Sequence, residues 1–120
     1  MAYDRNNIFA KILRGDIPCK KVFENEFALA FYDINPQAPT HVLIIPKGEY
    51  ISFDDFAAKA SNDEITGFFR TAGQVAQQVG AVEQGFRLIS NCGSNGGQEV
   101  PHFHIHILAG RKLGKMVAAA

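Results

Sequence analysis

Three of the four histidines in this sequence lie in one short segment and alternate with apolar residues. The segment reads Pro101-His102-Phe103-His104-Ile105-His106-Ile107-Leu108. Successive side chains of a β-strand point to opposite faces, so a strand predicted over His102 to Leu108 places the three imidazoles together. The apolar residues between them occupy the other face and are expected to be buried. The strand is therefore predicted to have one apolar side and one titratable side.

Three interpretations of this pattern compete. Structural histidines are disfavoured, because three imidazoles crowded on one face are hard to protonate together. A zinc site would use two of them, with His106 or His41 as a third ligand, but no Asp, Glu or Cys lies within the strand to complete or orient it. Nucleophilic catalysis is favoured, because a neutral imidazole is a good nucleophile near neutral pH and its neighbours can supply protons.

A glycine-rich segment, Gly93-Ser94-Asn95-Gly96-Gly97, comes shortly before the histidines. Glycine allows backbone N–H groups to turn inward, and such groups can form an anion-binding nest. A glycine cluster is usually only a turn, so this signal is weak alone. Beside three histidines it suggests a phosphate ligand, and hence a histidine that attacks phosphorus.

The remaining sequence predicts the scaffold that positions these residues. Asn6 and Asn7 can cap a short helix that ends at Gly15, and a further short helix is possible near Asp55. A capping box formed by Ser61 and Glu64 opens the clearest helix, whose apolar residues recur at helical spacing until Gly80. Strands are predicted over Lys21 to Glu24, Phe27 to Asp33, Val42 to Ile45, Phe86 to Asn91 and His102 to Leu108. Because strands outnumber helices and short hairpins join some of them, the predicted class is α+β with a mostly antiparallel sheet.

Composition limits the classes of function. The chain has 120 residues, of which 47% are hydrophobic and 20% charged, as expected for a single domain with one core. The formal net charge is zero, which argues against a nucleic-acid groove. The N-terminus has no apolar signal core, and no apolar stretch is long enough to span a membrane. Cys19 and Cys92 have no metal-like spacing, so we expect a cytoplasmic protein with free thiols and no membrane partner.

The histidine segment resembles the signature of the histidine triad (HIT) family. Further segments resemble the Hint branch of that family, and together they cover nearly the whole chain: Asn7 to Ile12, Ile17-Pro18, Phe31 to His41 and Gly96-Gly97-Gln98. The resemblance implies a five-stranded, mostly antiparallel sheet with one long and one short helix in a single domain over residues 1–120. It also implies a homodimer whose sheet continues across the interface.

The activity implied by the resemblance is that of a nucleotidyl hydrolase or transferase. The leading expectation is hydrolysis of purine nucleoside 5′-phosphoramidates, derivatives of AMP or GMP, to a nucleoside monophosphate and an amine. The mechanism passes through a covalent nucleotidyl-histidine and needs neither a cofactor nor a metal. Three alternatives stay open: a dinucleoside polyphosphate hydrolase of the Fhit type, a nucleotide-binding protein without turnover, and a zinc-dependent protein.

The resemblance also assigns roles by position. His104 corresponds to the nucleophile, His102 and His106 to the flanking pair that orients it and stabilises phosphate charge, and His41 to a supporting fourth histidine. Asp33 matches the carboxylate that binds the ribose hydroxyls. The residues expected around the phosphate and leaving group are Asn91, Gly97 and Gln98, and those expected around the purine are Ile8, Phe9, Ile12, Ile17, Phe31 and Ile34.

One position departs from the Hint pattern. The residue after Gly97-Gln98 is usually Ser or Thr, and here it is Glu99. A carboxylate near a phosphate repels it unless the side chain turns away or is protonated. Glu99 could instead bind a cationic leaving group, so the resemblance assigns it no catalytic role.

Overall fold

An antiparallel sheet of five strands lies at the centre of the computed structural model, which describes residues 2–118. The strands are β1 (Lys21–Glu24), β2 (Ala28–Tyr32), β3 (Thr40–Pro46), β4 (Arg87–Ile89) and β5 (Ile105–Ala109). Their order across the sheet is β1-β2-β3-β5-β4, so the two strands that carry histidines are direct neighbours. The predicted α+β class and five-stranded antiparallel sheet are confirmed.

Four helices accompany the sheet: α1 (Ile8–Leu13), α2 (Phe53–Lys59), α3 (Asn62–Gln78) and α4 (Ala81–Gln84). Both predicted caps are present, since the Asn7 side chain accepts the Ala10 N–H at 2.9 Å and a capping box opens α3. The resemblance implied one long and one short helix, whereas the described residues contain one long and three short ones. The unexpected α4 is a single turn between Gly80 and Gly85, which both have positive φ and therefore suit glycine. None of the helices in the described residues is long and apolar enough to cross a lipid bilayer.

The two faces of the sheet have different surroundings, because side chains alternate along each strand. One face packs against α2 and α3 through a large buried cluster that includes Ile44, Ile107 and Phe103. The other face carries a smaller cluster of Phe9 from α1 with Leu29, Phe31, Leu43 and Ile45. His41 and His106 alternate with residues of the large cluster and so belong to the α1 face.

The strand predicted to start at His102 starts three residues later, and Pro46 explains why. The register pairs Ile44 with Ile105, so the corresponding pair two residues further along would be Pro46 with Phe103, and Pro46 has no N–H to donate. The Pro46 carbonyl instead accepts a hydrogen bond from the His102 side chain at 3.0 Å, and the Phe103 N–H donates to the Tyr50 carbonyl at 2.7 Å. His102 and His104 therefore lie in an irregular segment that leads into β5.

Replacement by alanine is expected to change the free energy of unfolding in opposite directions at two glycines of α3. A Cβ added at Gly67 would lie 2.3 Å from the Phe27 ring, whereas a Cβ at Gly73 would meet nothing within 4 Å. Gly73→Ala should therefore raise the free energy of unfolding by about 0.5–1 kcal/mol, which is the helix-propensity gain. Gly67→Ala should lower it by about 1–3 kcal/mol, because the ring must be displaced.

Urea denaturation of the two variants beside the wild type measures both effects. Each variant controls for the other, because the residue change and the helix are the same. Stabilisation by both substitutions would show that Phe27 does not pack against α3 as described.

Candidate active site

A cavity of about 530 Å³ opens on the α1 face of the sheet. Its walls come from α1, the end of β2, β3, β5 and the loop that precedes β5. Most of the predicted site residues line it: His41, His104, His106, Asp33, Ile8, Phe9, Ile12, Ile17, Phe31, Ile34, Asn91 and Gly97. The two predicted residues outside its lining are His102 and Gln98. The structure therefore brings twelve of fourteen predicted residues to one cavity, from segments far apart in the sequence.

The lining also contains residues that the sequence analysis did not assign to the site: Pro18, Cys19, Tyr32, Asn35, Gln37, Leu43, Ile89, Val100 and Leu108, together with Glu99. For Leu43 and Leu108 a signal existed, since each lies two positions from a site histidine on the same strand face. The loop residues had no such signal, because loop geometry does not follow a fixed period.

The tautomer of His104 is fixed by the backbone of the same segment. Its Nδ1 lies 2.7 Å from the carbonyl oxygen of His102, which can only accept a hydrogen bond. Nδ1 therefore carries the hydrogen, and a neutral ring then has its lone pair on Nε2. Burial lowers the pKa of His104, so the ring is neutral near pH 7. The edge-on ring of Phe9, with centroids 4.9 Å apart, holds the imidazole in place.

A second chain of hydrogen bonds orients His106. The Gln37 N–H donates to Nδ1 of His41 at 3.1 Å, so a neutral His41 carries its hydrogen on Nε2. That nitrogen lies 2.9 Å from Nδ1 of His106, which accepts and leaves the His106 hydrogen on Nε2. Burial lowers the pKa of His41 and lowers that of His106 to about 4. The two neutral rings thus form a directed chain of hydrogen bonds that leaves the Nε2–H of His106 as a free donor within residues 2–118. The centroids of the His106 and His104 rings are 5.1 Å apart.

His102 has a different environment from the one expected. It is fully buried, its Nε2 donates to the Pro46 carbonyl at 3.0 Å, and its Nδ1 accepts from the Tyr3 hydroxyl at 2.5 Å. Both ring nitrogens are thus occupied outside the cavity. The expectation that all three triad rings share one pocket is wrong for this residue, because the irregular backbone before β5 turns its ring toward Tyr3 and Pro46. What His102 gives to the site is its backbone carbonyl, which fixes the His104 tautomer.

Acid is expected to destabilise the protein through His102. Desolvation lowers its folded-state pKa to about 4 from an ordinary value of 6.5. Between these values the unfolded chain binds a proton that the folded chain does not. The contribution of His102 to the free energy of unfolding is therefore fully present above pH 6.5. It falls as the pH drops toward 4, by up to about 1.4 kcal/mol per pH unit.

Urea denaturation at about pH 7 and about pH 5 measures this loss. The His102→Asn variant should show a smaller loss between the two pH values, whatever its stability at neutral pH. The loss that arises from the other buried histidines, such as His106 with a pKa of about 4, is common to wild type and variant. Carboxylates with lowered pKa, such as Glu24 at about 2, titrate below this window. An equal loss in wild type and variant would contradict the assignment to His102.

Three backbone N–H groups in and next to the glycine-rich loop are already hydrogen-bonded, so they cannot form the expected anion nest. The Gly97 N–H donates to the Ser94 carbonyl at 3.1 Å, and the Gln98 N–H donates to the Gly93 carbonyl at 3.0 Å. The Gly93 N–H donates to the Gln98 side chain, whose own N–H group bonds the carbonyls of Ile51 and Val100. These groups satisfy one another, so Gln98 shapes the loop rather than lining the cavity.

Asp33 lies at the end of β2 and has two neighbours. One oxygen accepts the Asn35 N–H at 2.8 Å, the turn-capping role that competes with a binding role, and the other lies 3.5 Å from Nε2 of His41. Asp33, His41 and His106 each offer one donor atom within 4.8 Å of the others, an arrangement that could hold a metal ion. This set differs from the zinc interpretation based on alternating histidines, and its two imidazole rings already hydrogen-bond each other.

The charged side chains that line the cavity are acidic, which is unusual for a site that binds an anion. Within residues 2–118, neither lysine nor arginine lines it, and its formally charged groups are the carboxylates of Asp33 and Glu99. The histidines are held neutral by burial. A bound phosphate must therefore be stabilised by N–H donors, and ligands with several negative charges are disfavoured.

Comparison with known proteins adds a family to this geometry. The sequence model of the HIT domain matches residues 14–113. A HIT-like protein of Azospirillum brasilense is 64% identical over 115 residues, which cover 96% of this chain and 94% of that protein. The purine nucleoside phosphoramidase of Escherichia coli K12 is 46% identical over 112 residues and covers 92% of both chains. Among solved structures, a histidine triad protein from Clostridium difficile superposes with a TM-score of 0.86 at 43% identity, over 97% of this chain and 100% of that one.

Proposed function

This chain belongs to the HIT domain family, and on that premise we propose that it hydrolyses purine nucleoside 5′-phosphoramidates to a nucleoside monophosphate and an amine. The family and its hydrolase members support a nucleotide hydrolase or transferase. The observation that carries the attack by histidine is the state of His104: a neutral ring, hydrogen fixed on Nδ1, in the wall of a cavity of nucleotide size.

In the first step, the lone pair on Nε2 of His104 attacks phosphorus and forms a P–N bond to the protein. The bond between phosphorus and the substrate nitrogen breaks, and the departing nitrogen keeps the electron pair. It must also gain a proton, because an amide anion is too basic to leave. Solvent supplies this proton, because a neutral His106 that gave up its single N–H would become an imidazolate anion. The hydrogen bond from His41 keeps the His106 hydrogen on Nε2, where it can donate to a phosphoryl oxygen.

In the second step, water attacks the phosphorus of the nucleotidyl-histidine. Its oxygen bonds to phosphorus, the bond to His104 breaks, and one proton returns to solvent. The proton taken up with the amine is thus balanced by the proton released from water. A covalent intermediate on histidine replaces one difficult displacement by two easier ones. The His104 ring gains a positive charge while it is bonded to phosphorus, and the hydrogen bond from its Nδ1 to the His102 carbonyl stabilises that charge.

The nucleoside is proposed to occupy the apolar part of the cavity. The purine would contact the side chains of Ile8, Phe9, Ile12, Ile17, Phe31 and Ile34, all of which line the cavity. Asp33 would accept hydrogen bonds from the ribose hydroxyls, since a carboxylate has acceptor sites left after one backbone bond. Asn91 and Gly97 lie on the wall that would face the phosphate.

The charge of the cavity favours a phosphoramidate over a dinucleoside polyphosphate. A phosphoramidate monoester carries one negative charge at the reacting phosphorus, whereas a polyphosphate leaving group adds several more. No lysine or arginine among residues 2–118 lines the cavity to neutralise them. The amine leaving group is therefore the better match.

The test is a comparison of kcat/KM on adenosine 5′-phosphoramidate and on diadenosine tetraphosphate, before and after treatment with a chelator. We expect faster turnover of the phosphoramidate, by about tenfold or more, which corresponds to about 1.4 kcal/mol in the barrier. Faster turnover of the polyphosphate would support the other enzyme type. Saturable binding of AMP without product from either substrate would indicate a binding protein, and a loss of activity on chelation would indicate a metal.

We further propose that two copies pair through β4, which is an edge strand of the sheet. Three apolar side chains beside or on this strand are substantially exposed in the single chain: Val82, Phe86 and Leu88. A pairing there would continue the sheet and cover them. Sedimentation equilibrium distinguishes this dimer from a monomer.

A further inference from the structure

We infer that Glu99 makes this protein selective for substrates whose leaving amine carries a second, positively charged group. The inference rests on the proposed phosphoramidase function and adds the class of leaving group to it. The carboxylate of Glu99 lies in the cavity wall and has no cationic partner among residues 2–118.

The Glu99 side chain is part of the cavity lining, on the same loop as Gly97 and Val100. Two other glutamates have cationic partners, since Glu24 pairs with Lys21 and Lys47 and Glu49 pairs with Arg5. Glu99 forms neither an ion pair nor a side-chain hydrogen bond with any residue in 2–118. Its carboxylate is thus available to a ligand.

The two carboxylates of the cavity lie in different places. Asp33 acts electrostatically on His41, His104 and His106, and tends to raise the pKa of each. Glu99 acts in this way on His104, and it is absent from the influences on His41 and His106. Asp33 follows β2 and Glu99 lies on the loop before β5, so the two carboxylates of the cavity wall come from different segments of the chain.

A free carboxylate near the phosphorus site opposes binding of any anionic substrate. Two like charges a few ångströms apart repel each other even in bulk water, and more strongly near a protein surface. A positive charge on the leaving amine changes the sign of this interaction. The positively charged group contacts the Glu99 carboxylate while His104 attacks. Its charge also cancels the negative charge at phosphorus, so the substrate is neutral overall. Glu99 thus discriminates against neutral and anionic leaving groups while it accepts cationic ones.

The test uses two adenosine 5′-phosphoramidates of matched length, one made from propane-1,3-diamine and one from butylamine. The first presents an ammonium group where the second presents a methyl group. The preference is the ratio of their kcat/KM values, and intrinsic reactivity cancels when wild type and variants are compared. We expect the wild-type ratio to exceed that of Glu99→Gln by about three- to tenfold, as for a partly exposed charge pair.

Two further variants sharpen the result. Glu99→Lys should lower the ratio below that of Glu99→Gln, because the ammonium group is then repelled. Glu83→Gln, which removes an exposed carboxylate from α4 outside the cavity, should keep the wild-type ratio. High salt should reduce the wild-type preference, because it screens exposed charges.

Turnover of both substrates with the same ratio in wild type, Glu99→Gln and Glu99→Lys would overturn the inference and leave the proposed function intact. Turnover of neither substrate by the wild type would overturn the proposed function, and the inference with it. A wild-type ratio changed equally by Glu83→Gln would show an effect of net charge and would also overturn the role of Glu99.

Discussion

Replacement of His104 by alanine should reduce kcat on adenosine 5′-phosphoramidate by about 10⁴-fold or more, as for other removed nucleophiles. The side chain supplies the atom that attacks phosphorus, and the two neighbouring rings cannot replace it. His102 has both ring nitrogens bonded outside the cavity, and Nδ1 of His106 is bonded to His41. AMP should still bind, because the apolar wall and Asp33 are unchanged.

Steady-state kinetics and equilibrium titration with AMP measure the two halves of this prediction. Gly73→Ala is the matched control, because it changes an exposed residue on the opposite side of the sheet and should keep full activity. If His104→Ala retained turnover within tenfold of wild type on every nucleotidyl substrate, His104 would not be the nucleophile. If the variant also lost AMP binding to the same extent, His104 would act in binding the nucleotide instead.

Replacement of Phe103 by alanine should lower the free energy of unfolding by about 3–5 kcal/mol, a large part of the stability of a domain this size. Its ring is 1% exposed and stacks on Phe56 at 4.8 Å, with Phe68 at 5.4 Å. The three rings fill the space between the segment before β5 and helices α2 and α3. Truncation leaves a cavity that these rigid rings cannot close.

The comparison variant for this prediction is Phe69→Ala. Phe69 also touches Phe56 and Phe68, but its side chain is 39% exposed and loses less contact. Urea denaturation should show less than half the effect there. Equal losses would mean that Phe103 is not the centre of this aromatic cluster. Because Phe103 lies between two triad histidines, its loss should also disturb the backbone bond that fixes the His104 tautomer.

The sequence was sufficient for the parts of the fold that follow a local rule. Asn7 and the pair Ser61 and Glu64 cap helices, and the apolar run from Val42 to Ile45 forms a strand buried on both faces. These predictions succeed because capping and strand alternation depend on neighbouring residues. The same rules placed His104 and His106 together, and resemblance to a family added residues from distant segments.

What the sequence could not provide depends on contacts between distant segments. The position of the His102 ring is decided by Pro46 and Tyr3, which are far from it in the chain. The orientation of His41 depends on a backbone amide at Gln37, whose direction is set by the loop and not by residue type. The amides of the glycine-rich loop bond within the loop, which composition alone does not reveal.

The central claim is that the nucleotide passes through a covalent bond to Nε2 of His104. The most direct measurement is the stereochemical course at phosphorus, with a substrate made chiral by sulfur and hydrolysed in ¹⁸O-labelled water. Two in-line displacements each invert the configuration, so the account predicts net retention. Net inversion would mean that water attacks the substrate directly, and it would contradict the account.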